Sequence, residues 1–316
     1  MKPFAFVFPG QGSQSVGMLD AWGDHPVITQ TLAEASDALG EDVGRLIREG
    51  PQEALALTTN TQPAMLVAGV AAYRAWMFET GAAPVAVAGH SLGEYSALVA
   101  SGVLSLAQAA PLVRFRAQAM QDAVPVGVGA MAAILGLEAS RVIEGCAQAV
   151  RTFGLNTSEV VEAVNFNDPM QTVIAGSKAA VDKACEVLKA NGAKRALPLS
   201  VSAPFHSSLM KPAADALREK LASVQLAPPT IPVINNIEAA SETDPDRIRS
   251  ALYEQAFGPV RWVECVRAIK AHGVSHVVEC GPGKVLAGMV RRIDPELTGA
   301  PLFDPASLAE VKEMLV

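Results

Sequence analysis

Charge and aromatic side chains are scarce in this 316-residue chain: Asp, Glu, Lys and Arg make up 18% of it, and Phe, Trp and Tyr 5%. The balance is acidic, with 32 Asp and Glu against 25 Lys and Arg and a formal net charge of −7. Few aromatics and a negative field are the reverse of what a nucleic-acid binder needs, which argues against that class. Cysteine is rare too. Cys146, Cys185, Cys265 and Cys280 lie far apart, with no C-x-x-C pair and no His/Cys cluster of metal-binding type. That spacing speaks against a disulfide framework and fits reduced thiols in a cytoplasmic protein. No apolar run reaches the about 20 residues needed to cross a bilayer. The apolar start ends at Pro9 and Gly10, too early for a signal-peptide core, and reads as a first buried strand.

What is plentiful is apolar residue, half of the chain. That supplies a sizeable core for one large domain, or for a large domain carrying a smaller one. Over the first 125 residues strand-like and helix-like segments alternate. Phe4–Phe8 and Val85–Ala88 read as strands, and Val27–Leu39, Gln62–Thr80 and Leu106–Gln121 as helices. Such alternation predicts an α/β sheet with helices on both faces. After a break at Val124-Pro-Val-Gly-Val-Gly129 the order becomes strand 130–135, helix 138–150, strand 160–165, strand 171–176, helix 178–191, strand 193–198. That β-α-β-β-α-β order predicts a small ferredoxin-like α+β unit. It reads as an insertion, because buried-strand candidates return at Pro232–Asn236 and Ser275–Glu279.

One stretch carries chemistry directly. Val85 to Ala100 reads as a strand, a G-x-S-x-G turn (Gly89, His90, Ser91, Leu92, Gly93) and a helix from Glu94. This strand-turn-helix lifts the central hydroxyl clear of the sheet and aims helix N-terminal amides at whatever Ser91 attacks. The loop Gly10-Gln-Gly-Ser-Gln14 after the first strand lacks the third glycine of a dinucleotide fingerprint and the Gly-Lys-Ser/Thr of a P-loop. Beside such an elbow, its use is to supply a backbone N–H, so the amides of Gln11 and Leu92 are the candidate oxyanion donors.

A serine hydroxyl needs a base, and histidine is the usual one. His90 adjoins Ser91 and leaves the turn in another direction; His25 sits in a polar loop. His206, in an irregular loop after the small unit, is the leading candidate, with His276 and His272 as alternatives. No Asp or Glu stands out as a third triad member, so a backbone carbonyl or an amide is expected to orient the imidazole. Arg114 and Arg116 lie two residues apart on one helix and cannot share a face. At most one points into a cleft, and each taken alone reads as a solvated surface cation. Asn165 and Asn167, taken alone, read as turn residues before Asp168-Pro169.

With these pieces in order, the chain resembles the malonyl-CoA:acyl-carrier-protein transacylases of type II fatty-acid synthesis over essentially its whole length. The likeness is carried by Phe8–Gln14 (F-P-G-Q-G-S-Q), Thr61–Ala64 (T-Q-P-A), Gly89–Ala97 (G-H-S-L-G-E-Y-S-A), Arg116, Asn165-x-Asn167 and Pro204–Ser207. Gln255 and Glu279–Lys284 (E-C-G-P-G-K) complete it. The resemblance implies a hydrolase-like α/β core, residues 1–126 and 200–316, with a ferredoxin-like α+β subdomain over 127–199. It implies Ser91 as the acylated nucleophile, His206 as base and the Gln255 carbonyl as its orienter. It further implies Gln11 and Leu92 as oxyanion donors, Arg116 as partner of the malonyl carboxylate, and Asn165 and Asn167 as cleft residues. The partners implied are malonyl-CoA and an acidic acyl carrier protein bearing phosphopantetheine, with no metal or redox cofactor. Lys284, Arg291, Arg292, Lys194 and Arg195 are candidates for a basic docking patch on this acidic chain. Competing readings are a trans-acting polyketide or malonate-decarboxylase acyltransferase and a serine thioesterase or esterase.

Overall fold

The computed structural model describes residues 1–154 and 157–316. The chain opens with β1 (Phe4–Phe8), then α1 (Pro26–Leu39), α2 (Val43–Glu49), α3 (Gln52–Leu55) and α4 (Thr58–Thr80). β2 (Ala86–Gly89), α5 (Gly93–Ala100) and α6 (Leu106–Asp122) follow. The next unit is β3 (Gly129–Leu135), α7 (Ala139–Arg151), β4 (Val161–Asp168), β5 (Gln171–Ser177), α8 (Lys178–Ala190) and β6 (Arg195–Pro198). The chain then continues through α9 (Lys211–Ala222), β7 (Val233–Ile234), α10 (Pro245–Phe257), α11 (Trp262–Ala271) and β8 (His276–Cys280). It closes with α12 (Val285–Ile293), β9 (Thr298–Leu302) and α13 (Pro305–Leu315).

Two sheets result. A five-stranded parallel sheet has the order β7-β2-β1-β8-β9, and a four-stranded antiparallel sheet the order β4-β5-β3-β6. β1 is buried along its whole length, as the central strand of a sheet covered on both faces must be. Phe4, Phe6 and Phe8 point to one face, where Phe6 meets the Trp76 ring of α4 edge-on at 5.7 Å. Ala5 and Val7 point to the other, against Trp262, Val266 and Ile269 of α11. α4 is packed by the sheet, α1, α5 and α6, and is accordingly apolar nearly all round rather than striped.

The helices differ from their sequence reading mainly in their ends. α4 starts four residues before Gln62, because Thr61 Oγ1 donates to Leu55 O and Asn60 Nδ2 to Ala54 O, tying a first turn to α3. Pro63 lies in the second turn, inside the helix, where it cannot donate to the Thr59 carbonyl. The extra turn brings Thr58 to the Gln11 side chain, whose Nε2 donates to Thr58 Oγ1 at 3.2 Å. β9 carried no strand signal. It is an edge strand containing Gly299 and Pro301, and an edge is where proline can sit in a sheet.

The small sheet has the strand order of a ferredoxin-like unit. Ala132 and Ile134 of β3 and Ile174 of β5 face α7 and α8. Met131, Val173 and Ala175 face the opposite way, with Val201 and Phe205. Val260 N–H donates to Val164 O at 2.8 Å and Phe166 N–H to Val260 O at 2.9 Å, stitching β4 to the segment that enters α11. That stitch leaves the cleft between the two sheets lined by both.

Candidate active site

The turn between β2 and α5 is sterically determined. A Cβ at Gly89 would lie 1.8 Å from Gly93 C, and a Cβ at Gly93 would lie 2.1 Å from Phe8 O, so neither position accepts a side chain. Ser91 between them has φ 52, a left-handed backbone costing about 1–3 kcal/mol in a non-glycine residue. Strain of that size persists only where the surroundings hold it, and here it projects Oγ into the cleft.

Ser91 Oγ lies 2.6 Å from His206 Nε2. His206 Nδ1 lies 2.9 Å from the backbone oxygen of Gln255, in the last turn of α10. A carbonyl can only accept, so Nδ1 carries the hydrogen and Nε2 keeps a lone pair for the serine proton. His206 is 4% exposed and, like Ser91, has positive φ, 65. Burial, reinforced by the Arg116 charge, pushes its pKa down to about 3, so the ring is neutral at physiological pH.

Arg116 enters the same cavity from α6. It is 1% exposed; Nη1 donates to Gln62 Oε1 at 2.5 Å and Nη2 to Gln255 Oε1 at 3.0 Å, with Ser91 Oγ 3.3 Å from Nη2. Its guanidinium lies 5.5 Å from the Tyr95 ring centroid. Among the described residues no carboxylate forms an ion pair with it. A buried cation without a paired anion is costly unless a ligand supplies one. Arg114 faces away, pairing with Glu41 and donating to Asn60 Oδ1 at 3.2 Å. It ties α6 to the loop between α1 and α2 and is not the solvated cation its position suggested.

The remaining candidates sort cleanly. Gln11 and Leu92 line the cavity, and among the described residues neither backbone N–H donates to a protein acceptor, which leaves both amides for an incoming oxyanion. Asn165 and Asn167 also line it, but they are strand residues of β4, not the turn residues their neighbourhood suggested. Register shifts between Ala163 and Asn165 and between Phe166 and Asp168 break the alternation of β4, and such bulges re-aim side chains. Asn167 Oδ1 lies 2.8 Å from His90 Nε2, occupying the ring beside Ser91. His276 begins β8 and His272 follows α11; neither lines the cavity.

The chain matches the family model described as "Acyl transferase domain" over residues 5–295. The chain belongs to that family. An Escherichia coli (strain K12) relative, malonyl CoA-acyl carrier protein transacylase, is 51% identical over 315 residues, covering 99% of this chain and 100% of the relative. A crystal structure of an acyl-carrier-protein S-malonyltransferase from Burkholderia pseudomallei 1710b matches with TM-score 0.95 and 63% identity, covering 98% of this chain and 99% of the other. A malonyl-transacylase solved in complex with a type II PKS acyl-carrier protein matches with TM-score 0.95 and 48% identity, covering 99% of each chain.

Sequence reasoning did not single out three residues of this acyl transferase site: Gln62, Glu94 and Asn236. Gln62 and Glu94 stand inside the motifs T-Q-P-A and G-H-S-L-G-E, so a signal was available, whereas Asn236 follows a two-residue strand and carried none. Burial pushes the Glu94 carboxyl up to about 7. An ordinary histidine base loses activity below about pH 6.5; with His206 held down near 3, the acidic limb of Ser91 acylation is expected well below that. Burial pushes Glu279 up to about 7 as well, so of any inflection near pH 7 only the part owed to Glu94 vanishes in Glu94→Gln. Single-turnover acylation followed by intact-protein mass across pH 4–9 checks this. A unit-slope loss at pH 6.5 that persists in Glu94→Gln contradicts it.

Proposed function

We propose that the chain is a malonyltransferase acting between malonyl-CoA and acyl carrier protein, by way of a malonyl-serine intermediate, in fatty-acid elongation. The buried Arg116 guanidinium, 3.3 Å from the Ser91 oxygen and without a carboxylate partner, carries this reading. It suits an acyl group whose free carboxylate sits two bonds beyond the reacting carbonyl. The cavity, about 210 Å³, is smaller than sites that enclose drug-sized ligands, so it takes the acyl end and leaves the nucleotide outside.

In the first step Ser91 Oγ attacks the thioester carbonyl while His206 Nε2 takes its proton. The amides of Gln11 and Leu92 hold the oxyanion, and Asn165 and Asn167 bound the cleft beside it. The C–S bond breaks and coenzyme A leaves as the thiol with the proton from His206. In the second step the phosphopantetheine thiol gives its proton to His206 and attacks the ester carbonyl. The C–O bond breaks and Ser91 recovers its proton. The kinetics are ping-pong. The chemistry calls for no metal or redox cofactor, and the setting is the cytoplasm. The division into a core, 1–126 and 200–316, and a small subdomain, 127–199, is supported by the two sheets and their separate apolar clusters.

The carrier is acidic, so a local basic surface must receive it. Lys194, Arg195, Lys284, Arg291 and Arg292 are all exposed. Arg292 Nε donates to Asp168 Oδ2 at 2.8 Å. Asp168 and Arg195 mark opposite edges at one end of the small sheet, roughly 14 Å apart at three strand spacings. A polyketide carrier is the second reading, favoured by the relative solved with one.

Intact-protein mass after incubation with malonyl-CoA tests the function. The expected result is a malonyl adduct that discharges onto holo carrier protein. Free malonate, with neither adduct nor transfer, would move the assignment to a thioesterase.

A further inference from the structure

The left-handed backbone of Ser91 is gripped from both sides by amide side chains. Its N–H donates to Asn236 Oδ1 at 2.7 Å, and its carbonyl accepts from Gln255 Nε2 at 2.9 Å. Asn236 Nδ2 also donates to Gly89 O at 2.7 Å, so one amide spans the turn on both sides of His90. Both residues also meet a single oxygen, Asn236 through its backbone N–H and Gln255 through its side-chain amide. Glu94 Oε2 accepts the Asn236 N–H at 2.8 Å and Gln255 Nε2 at 3.1 Å. Asn236 and Gln255 are 0% exposed and Glu94 is 2%. They come from three places: the turn after β7, the last turn of α10 and the first turn of α5.

We infer that Asn236 is a positioning residue for the nucleophile, clamping the Ser91 turn, and that Glu94 is the shared acceptor that holds the clamp together. The inference rests on the reading of Ser91 as nucleophile. Asn236 touches no reacting atom. It acts by holding the Ser91 and Gly89 peptide groups, which aims Oγ at His206 and turns the following amide, Leu92 N–H, toward the oxyanion. Gln255 then has a second task beside orienting His206, since its side chain ties Ser91, Arg116 and Glu94 to the same helix turn. A clamp of this kind alters the rate of attack at Ser91 and leaves the binding of the acyl donor alone.

The test uses phenylmethanesulfonyl fluoride, a neutral reagent that reads Ser91 reactivity without a malonyl carboxylate. Asn236→Ala is expected to slow sulfonylation, and malonyl transfer with it, by at least about tenfold in kcat. Malonyl-CoA affinity, measured on the Ser91→Ala background, should change less than about threefold. Glu94→Gln keeps an amide oxygen for both donors and should sulfonylate at least about threefold faster than Glu94→Ala, which should be as slow as Asn236→Ala. Wild-type sulfonylation by Asn236→Ala overturns the inference. So does a loss of malonyl-CoA binding that parallels the loss of rate. If Asn236→Ala does not fold, the Glu94 pair decides, and equal slowing by Gln and Ala overturns the clamp. A wild-type protein with Asn236-dependent sulfonylation but no malonyl adduct would refute the malonyltransferase reading while supporting the clamp.

Discussion

Ser91→Ala is expected to take up no acyl group from malonyl-CoA and to lower carrier-protein malonylation by at least about 10⁴-fold, the scale seen when a covalent nucleophile is deleted. The size follows from the geometry. Among the described residues His206 Nε2 has one hydroxyl within hydrogen-bond reach, at 2.6 Å, and its other nitrogen is committed to Gln255 O. Removing Oγ leaves a base with nothing to deprotonate except water, and the imidazole is buried. His206→Ala is expected to fall less far, about 10²–10⁴-fold, because the amides and the bound acyl group still contribute. The deciding measurement is intact mass with quantified transfer to holo carrier protein. Persistent malonylation of Ser91→Ala would reject Ser91 as the nucleophile.

Arg116→Ala has the second-largest expected effect. Truncating one partner of a buried, hydrogen-bonded charge pair costs about 2–5 kcal/mol, which corresponds to roughly 30- to 5,000-fold in kcat/KM for the malonyl donor. Acetyl-CoA, with no carboxylate to pair, should be affected little or even favoured, so the malonyl-to-acetyl preference collapses. In the wild type an acetyl group leaves the buried guanidinium without its anion, at a cost of about 1–3 kcal/mol. Arg116→Lys should not restore full activity. A point charge cannot donate to Gln62 and Gln255 in a fixed fork while also meeting a carboxylate. Competition assays with the two donors read the ratio, and an unchanged ratio in Arg116→Ala would refute the assignment. Because Gln62 and Gln255 lose their shared donor in that variant, melting temperatures of all three proteins accompany the kinetics.

The parts of the site legible in the sequence were those built from neighbours along the chain. Gly89, Ser91 and Gly93 mark the elbow within five residues: the contact that bars a side chain at Gly89 is made by the turn itself, at Gly93, whereas the one that bars a side chain at Gly93 comes from Phe8 of β1 once the strands have paired. The β-α-β-β-α-β unit was legible for a similar reason, each strand and helix carrying its own period. Asn165 and Asn167 were misread as turn residues because a bulge leaves no periodic trace. β9 was missed because an edge strand has only one neighbour to please.

What the sequence determined by itself is the local chemistry: a strained serine on a strand-to-helix turn, a glycine-rich loop beside it, and an apolar α/β core. The sequence made His206 the leading candidate, but that His206 and Arg116 stand beside that serine is a matter of the tertiary structure. His206 is 115 residues from Ser91 and Gln255 is 164, distances over which no period or steric rule in the chain operates. Asn236 illustrates the cause. The parallel register Val87 with Val233 and Ala88 with Ile234 brings the residues after β7 alongside those after β2, so Asn236 reaches the elbow only once the two strands pair. Steric exclusion acts between neighbours and is written locally, whereas convergence of polar side chains depends on register and crossover, which exist only when the sheet has formed.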